Sequence, residues 1–280
     1  MKAFPEFKDM PPSFWALIKY ISQTLRYTDR RTKSIRTYSR EEIIDLLTSH
    51  GMAVDIDIVN AAKDYCDKRA SLLNDFVRVM LMDADTAKST FESLLPIHLE
   101  NHFQCKLPVN KQSGKMKTVN YFTAIINILT EKTIRELIPH SDSLGFDDDP
   151  RGLIYVLDDT GSLVGASSRR YDGAYPSIMN PKIVWEIKEY YYATTFGSRV
   201  ADGVYETQLD GYEFNELKSR TGKSITHVFF FDAYKTWWID GRSYLCRIID
   251  ALNSGLVDEV IVGKEVFTRW PELLKSIIET

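Results

Sequence analysis

The segment from Arg169 to Tyr192, RRYDGAYPSIMNPKIVWEIKEYYY, decides the fold class of this chain. Its second half is rich in Val, Ile, Trp and Tyr, a composition typical of a β-strand, and we predict a strand over residues 182–192. Successive side chains of a strand point to opposite faces, so one face carries Val184, Glu186, Lys188 and Tyr190, and the other carries Ile183, Trp185, Ile187 and Glu189. Glu186 and Lys188 therefore project together from a largely apolar strand.

A second acid lies 14 residues before Glu186. Asp172 precedes Gly173, where the chain can turn back and bring the carboxylate alongside the strand. Two carboxylates and a lysine suit metal-assisted phosphodiester hydrolysis, because carboxylate oxygens hold one or two Mg²⁺ ions, and the metal polarises a phosphate and acidifies a water. The lysine would stabilise charge or help to position the attacking water. Asp172, Glu186 and Lys188 are therefore the candidate site.

The flanking sequence divides into a helical part and an α/β part. Residues 1–117 are predicted to be mainly helical, with a capping box at Ser39 and Glu42 and a helix stop at Gly51. A further helix covers residues 119–137. Beyond residue 150 the pattern predicts β-β-β-α-β-α-β-α, with Thr268 capping the last helix. We therefore predict a helical region over 1–117 and an α/β (α+β) core over 118–280, built on a mixed central sheet flanked by helices.

The spacing D-x13-E-x-K across a β-turn-β unit resembles the PD-(D/E)xK nuclease superfamily, which includes most type II restriction endonucleases. The resemblance covers roughly residues 119–265 at the level of element order, and it implies a restriction-endonuclease-like core. It also implies that Asp172 and Glu186 bind the metal and that Lys188 is the catalytic lysine. The sequence departs from the motif at Tyr171, where the family has proline. The alternative interpretation of E-x-K is an ordinary salt bridge on a strand.

The function implied by this resemblance is Mg²⁺-dependent, sequence-specific cleavage of double-stranded DNA in a restriction-modification system. Cutting both strands at one site is easiest with two active sites related by a two-fold axis, so a homodimer is expected. A companion DNA methyltransferase would protect the host sequence. Two alternatives stay open: a repair or modification-dependent nuclease, and a non-catalytic DNA-binding defence protein in which Glu186 and Lys188 only pair with each other.

Candidate phosphate contacts come from four places in the chain. The stretch over 26–40 is basic with interleaved tyrosines, and the segment over 106–117 contains lysines and no acids. Each is equally compatible with a solvated loop. An arginine pair precedes Asp172, and a Ser-Arg pair follows the predicted strand. The candidate DNA-binding residues are Arg30, Arg31, Lys33, Arg36, Lys115, Lys117, Arg169, Arg170, Ser198 and Arg199.

Composition and charge narrow the class of protein. The chain has 280 residues, 44% hydrophobic and 26% charged, with a formal net charge of −4. That charge is unevenly spread: residues 1–118 carry 18 Lys/Arg against 15 Asp/Glu, and residues 119–280 carry 17 against 24. Three widely spaced cysteines form no CxxC pair, which favours a reducing, cytoplasmic compartment. We see no signal peptide and no apolar run long enough to span a membrane, so no membrane partner is expected.

Overall fold

The structure is a computed structural model that describes residues 1–29, 31–109, 118–139, 144–192 and 198–280, with only the backbone described for Ser198. Its first half is helical. A 3₁₀ turn at Pro5–Phe7 is followed by α1 (Pro12–Leu25), α2 (Arg40–Ser49) and α3 (Ile56–Ser71). A π-helical segment, Leu72–Val77, leads into the short α4 (Arg78–Met80), and α5 (Ala84–Glu100) and α6 (Tyr121–Leu137) complete this half.

The second half contains two sheets. Strands β1 (Tyr155–Leu157) and β2 (Leu163–Ala166) form an antiparallel hairpin of their own. The central sheet has the order β3 (Gly173–Tyr175), β4 (Ile183–Glu189), β5 (Thr226–Asp232) and β6 (Glu259–Val262). Here β3 runs antiparallel to β4, whereas β4, β5 and β6 are parallel to one another. The prediction of a mixed central sheet is therefore confirmed.

Three further helices pack around this sheet. They are α7 (Ser198–Thr221), α8 (Arg242–Asn253), which follows a π-helical segment at Lys235–Asp240, and α9 (Val266–Ile278), which follows a 3₁₀ turn at Gly263–Glu265. On one face of the sheet, Trp185 and Phe230 pack against Trp270 of α9 and the apolar side of α6. On the other, Phe229 and Phe231 share a core with α7 and α8. Helices thus flank the sheet on both faces, which accounts for the nearly continuous burial along β4, β5 and β6.

The N-terminal helices have a core of their own, centred on the fully buried Tyr65. The capping box at Ser39 and Glu42 is present, and Gly51 follows α2 with a φ of 66°. Only glycine adopts such a left-handed conformation without strain, which explains the helix stop there. No helix within the described ranges is long and apolar enough to cross a bilayer.

Three local predictions differ from the structure. The strand predicted over 182–192 covers only Ile183–Glu189, so Tyr190 follows the end of β4. Thr268 does not cap the last helix, because α9 begins at Val266 and Thr268 lies inside its first turn. The strand β3 was not predicted as a separate element, since it is three residues long and too short for a periodic signal. Its pairing with β4 is nevertheless what fixes the position of Asp172.

Candidate functional site

Asp172, Glu186 and Lys188 line one open cleft with a volume of about 720 Å³. Glu186 and Lys188 come from β4, and Asp172 immediately precedes β3, which pairs with β4 through Gly173 and Trp185. The alternation expected for β4 is confirmed, because Ile183, Trp185 and Ile187 are in the core beneath α6 and α9, whereas Val184 and Tyr190 face the other side. The structure therefore brings the three candidate residues together.

The Asp172 carboxylate is held by the backbone of β4. Its Oδ2 accepts a hydrogen bond of 2.7 Å from the N–H of Ile187, the residue between Glu186 and Lys188. Burial, and after it the negative charge of Glu186, raise the pKa of Asp172 to about 7, although the backbone hydrogen bond from Ile187 lowers it. Two carboxylates are thus close enough to repel each other at the floor of the cleft.

Glu186 is only 4% exposed, and both of its carboxylate oxygens meet a cation. Oε2 accepts a hydrogen bond of 2.9 Å from Arg169, and Oε1 forms an ion pair with the Lys188 ammonium. Lys188 also reaches Glu206 of α7, at 3.1 Å. Burial lowers the pKa of Lys188, but the neighbouring acidic groups, Glu186 first among them, together outweigh it, so the pKa of Lys188 is raised and its positive charge is secure.

One wall of the cleft is the N-terminus of α6. Asn120 occupies the N-cap without a side-chain cap hydrogen bond, so the first N–H groups of the helix need another acceptor. Glu189 at the end of β4 supplies it, accepting from the N–H groups of Phe122 at 3.0 Å and Thr123 at 3.1 Å. Burial raises the pKa of Glu189 to about 6. This contact fixes α6 to the strand that carries the candidate site.

Sequence reasoning missed four residues of the site. Asp210 and Glu206 of α7 contact Arg169 and Lys188, and their α-helical spacing of four places both carboxylates on the helix face towards β4. Gly203, one turn earlier, leaves room for Lys188, since a Cβ there would lie 3.0 Å from the lysine Cε. His227 of β5 lies behind Asp210. The helical period of α7 was enough to predict that Glu206 and Asp210 lie on the same face of the helix. Only the tertiary structure shows which residues that face contacts.

The candidate DNA contacts lie in very different environments. Arg170 is exposed, whereas the Arg169 side chain is 23% exposed and turned towards Glu186 and Asp210. Arg199 is exposed near the start of α7. Four of the candidates, Arg30, Lys115, Lys117 and the side chain of Ser198, lie outside the described residues.

The N-terminal basic stretch forms a small hairpin closed by the bridge between Thr28 and Ile35. Arg31 and Lys33 are exposed at its tip. Arg36 is instead engaged within the protein, in an ion pair with Glu42. The phosphate-contact interpretation of all these residues stays a prediction.

The cleft offers oxygen ligands for a hard cation. Within the described ranges, no group of three or more His, Cys, Asp and Glu side chains is gathered closely enough to enclose a metal. Asp172 and Glu186 nevertheless provide a pair of carboxylates, and Mg²⁺ commonly takes one or two from the protein and completes its shell with waters and substrate phosphates.

Comparison with known protein families gives two matches along the chain. Residues 82–277 match a domain of unknown function (DUF7687), and residues 1–76 match another domain of unknown function (DUF7690). Searches of curated proteins and of solved structures found no match. Asp172, Glu186 and Lys188 all lie within the first of these matches, which spans well over half of the sequence, and the chain therefore belongs to the DUF7687 family.

Proposed function

We propose that this protein is a Mg²⁺-dependent endonuclease that cleaves double-stranded DNA at specific sequences, as part of a restriction-modification system. The observation that carries the proposal is the convergence of Asp172, Glu186 and Lys188 from two neighbouring strands onto one open cleft. A mixed sheet with helices on both faces supports the likeness to a restriction-endonuclease core. A homodimer and a companion DNA methyltransferase belong to the same proposal.

The charges around the cleft support binding of a divalent cation. Lys188 and Arg169 are the cations in contact with Glu186, and Arg169 also neutralises Asp210. Asp172 has no comparable partner among the described side chains: its carboxylate accepts a backbone N–H, and its pKa is raised first by burial and then by the negative charge of Glu186. A cation between Asp172 and Glu186 would remove that repulsion. When bound there, Mg²⁺ would polarise the scissile phosphate and acidify a water.

The residues of the chain itself have separable tasks in this proposal. Asp172 and Glu186 would hold the metal ion. Lys188 presents a permanent positive charge on the same side of β4, where it stabilises the charge that builds up on the phosphate in the transition state. Its ion pair with Glu206 keeps the flexible lysine chain directed along α7.

The shape of the surface suits an extended polyanion. A second cleft of about 740 Å³ adjoins the first and shares Asp149, Tyr171 and Asp172 with it. Lys106 lines the first cleft, where it pairs with Asp148 and Asp149, and Arg151 lines the second, where it pairs with Asp149. A nucleic-acid strand lying across both would pass Asp172 midway, and its flanking phosphates would take the place of Asp149 as partners of these two cations.

Incubation of the purified protein with Mg²⁺ and several plasmids tests the function. Discrete bands are expected from wild-type protein, and no cleavage from Glu186→Gln or Lys188→Met, both with unchanged folding by circular dichroism. Lys182→Met is the matched control, because Lys182 is exposed beside the start of the same strand and should leave cleavage unchanged. Full activity in either site variant would refute the assignment.

The non-catalytic alternative has one observation in its favour, the direct ion pair between Lys188 and Glu186. In that case the protein binds DNA without cleaving it, and the ion pair between Lys188 and Glu186 is purely structural. Asp172→Asn should then have no effect on the binding of divalent cations. In the nuclease, the same substitution eliminates Mg²⁺ binding. A repair or modification-dependent nuclease is separated from a restriction enzyme by digesting methylated and unmethylated copies of the same plasmid.

A further inference from the structure

Arg169 is the central cation of a buried network beside the candidate site. Its Nη1 donates to Glu186 Oε2 at 2.9 Å, and its Nη2 donates to Asp210 Oδ2 at 2.6 Å. The Nε group also faces Asp210, at 3.0 Å from Oδ1. One planar guanidinium thus bridges a strand carboxylate and a helix carboxylate, and its rigid fork contacts Asp210 through two N–H groups at once, which a lysine ammonium does not reproduce.

The second carboxylate of this bridge is itself firmly placed. Asp210 is 1% exposed on α7, and the Nε2 atom of His227 lies 3.9 Å from its Oδ2. The other ring nitrogen of His227, Nδ1, hydrogen-bonds the Leu256 carbonyl at 3.2 Å. Burial lowers the pKa of His227 to about 4, so the ring is neutral at physiological pH and does not compensate Asp210. Arg169 supplies that compensation.

Arg169 also packs against an aromatic ring. Its guanidinium lies over the Tyr171 ring, 5.0 Å from the centroid, and Tyr171 is itself buried. The next residue, Arg170, is exposed. The two adjacent arginines therefore lie in different environments. Because they carry the same charge and differ by only one residue in their distance from Asp172 along the chain, Arg170 is a matched control for Arg169.

We propose that Arg169 is a positioning residue for Glu186, holding Oε2 so that the carboxylate presents Oε1 to the cleft beside Lys188, with Asp210 as its anchor on α7. This inference rests on the proposed function, because it assigns Arg169 to the metal-binding carboxylate. It differs from the sequence-based prediction that Arg169 contacts DNA phosphate. Groups that orient a metal ligand typically change metal affinity by 10- to 100-fold when they are removed.

The experiment compares Arg169→Met with Arg170→Met, using Mn²⁺ alone as the probe of the free protein and calcium-loaded protein for DNA binding. For Arg169→Met we expect Mn²⁺ affinity to fall by about tenfold or more and kcat to fall with KM for DNA nearly unchanged. For Arg170→Met we expect unchanged Mn²⁺ affinity. If Arg170 contacts phosphate, that variant also shows weaker DNA binding, with a salt slope smaller by about 0.9.

Two further variants keep the result interpretable if Arg169→Met does not fold. Arg169→Lys retains the charge but loses the two-pronged contact with Asp210, so it should fold and recover only part of the Mn²⁺ affinity. The double variant of Arg169→Met and Asp210→Asn removes one charge of each sign, and it should still bind Mn²⁺ weakly. A purely structural role would instead give wild-type Mn²⁺ affinity in whichever variant folds.

The outcomes separate this inference from the function on which it rests. Wild-type Mn²⁺ affinity in the folded Arg169 variants, together with a DNA-binding defect like that expected for a phosphate contact, overturns the positioning role and leaves the nuclease standing. A wild-type protein that neither binds Mn²⁺ nor cleaves DNA overturns the proposed function, and the positioning role with it.

Discussion

The carboxylate of Asp172 is hydrogen-bonded to the backbone N–H of Ile187, the residue between Glu186 and Lys188. This contact ties the first acid directly to the strand that carries the other two candidate residues. The short pairing of β3 with β4 sets the register, since Gly173 lies opposite Trp185. The position of Asp172 is therefore determined by main-chain geometry and does not depend on a flexible side chain.

Asp172→Asn should stabilise the protein at high pH in the absence of metal. The pKa of Asp172 is about 7 in the folded state against 3.8 for an unperturbed aspartate, so the folded state holds the proton more tightly than the unfolded state. Stability associated with this proton is present below about pH 4 and is lost as the pH rises through 7. We expect Asp172→Asn to exceed wild type by about 4 kcal/mol at pH 8 and to match it near pH 4.

Urea denaturation at both pH values, with a chelator present, measures this difference. Burial also raises the pKa of Glu189 and of Asp232. All three carboxyl groups therefore contribute to the pH dependence of the wild-type free energy of unfolding, and only the comparison with the variant isolates the contribution of Asp172. Asp159→Asn is the control, because that side chain is exposed and should change stability by less than about 0.5 kcal/mol at either pH. An Asp172→Asn protein no more stable than wild type at pH 8 would show that this carboxylate is not under strain.

Gly203→Ala should reduce activity without reducing stability. Alanine is favoured over glycine by about 1 kcal/mol in a helix interior, but its Cβ would lie 3.0 Å from Cε and 3.2 Å from Cδ of Lys188. The lysine chain is flexible and can move, so the fold survives, whereas the ammonium is displaced from Glu186. We expect an equal or higher melting temperature and a fall in kcat of about tenfold. A variant that cleaves at the wild-type rate would show that Lys188 does not need this space.

The sequence was sufficient to predict how Glu186 and Lys188 are oriented, because the period of a strand decides which side chains share a face. It could not fix Asp172, whose place depends on a three-residue strand and on the pairing of that strand with β4. The network around Arg169 was equally out of reach. Asp210 lies 41 residues from Arg169, and local patterns carry no information about which distant carboxylate an arginine will meet.

The exposed basic hairpin near the N-terminus permits a test of phosphate binding. Replacing Arg31 and Lys33 together with Ala should weaken DNA binding about equally for all sequences, and the slope of log K against log salt should shrink by roughly 0.9 per lost contact. Arg36→Ala is the informative comparison, because that guanidinium is engaged by Glu42 and by the carbonyl of Leu25. If the salt slope of the double variant is unchanged, Arg31 and Lys33 do not contact phosphates and belong to a solvated loop.

A buried ion pair connects the N-terminal helices to the α/β part of the molecule. Arg69 of α3 is fully buried and donates to both oxygens of Asp250 on α8, at 2.9 and 3.0 Å. Ser22 accepts a further hydrogen bond from Arg69, and Tyr65 donates to the same aspartate at 2.6 Å. Both charges are thus desolvated, and neither has an alternative neutralising partner among these contacts.

Removing one member of this pair should therefore be far more damaging than removing both. We expect Arg69→Met to lower the free energy of unfolding by about 3–5 kcal/mol, because it leaves the Asp250 carboxylate buried and uncompensated. The double variant of Arg69→Met and Asp250→Leu should recover part of that loss, since no buried charge remains. Urea denaturation of the wild type, both single variants and the double variant gives the coupling energy. If wild type unfolds in one transition and the Arg69 variant in two, this ion pair couples the two parts of the chain. If the losses of unfolding free energy in the two single variants simply add up in the double variant, Arg69 and Asp250 act independently.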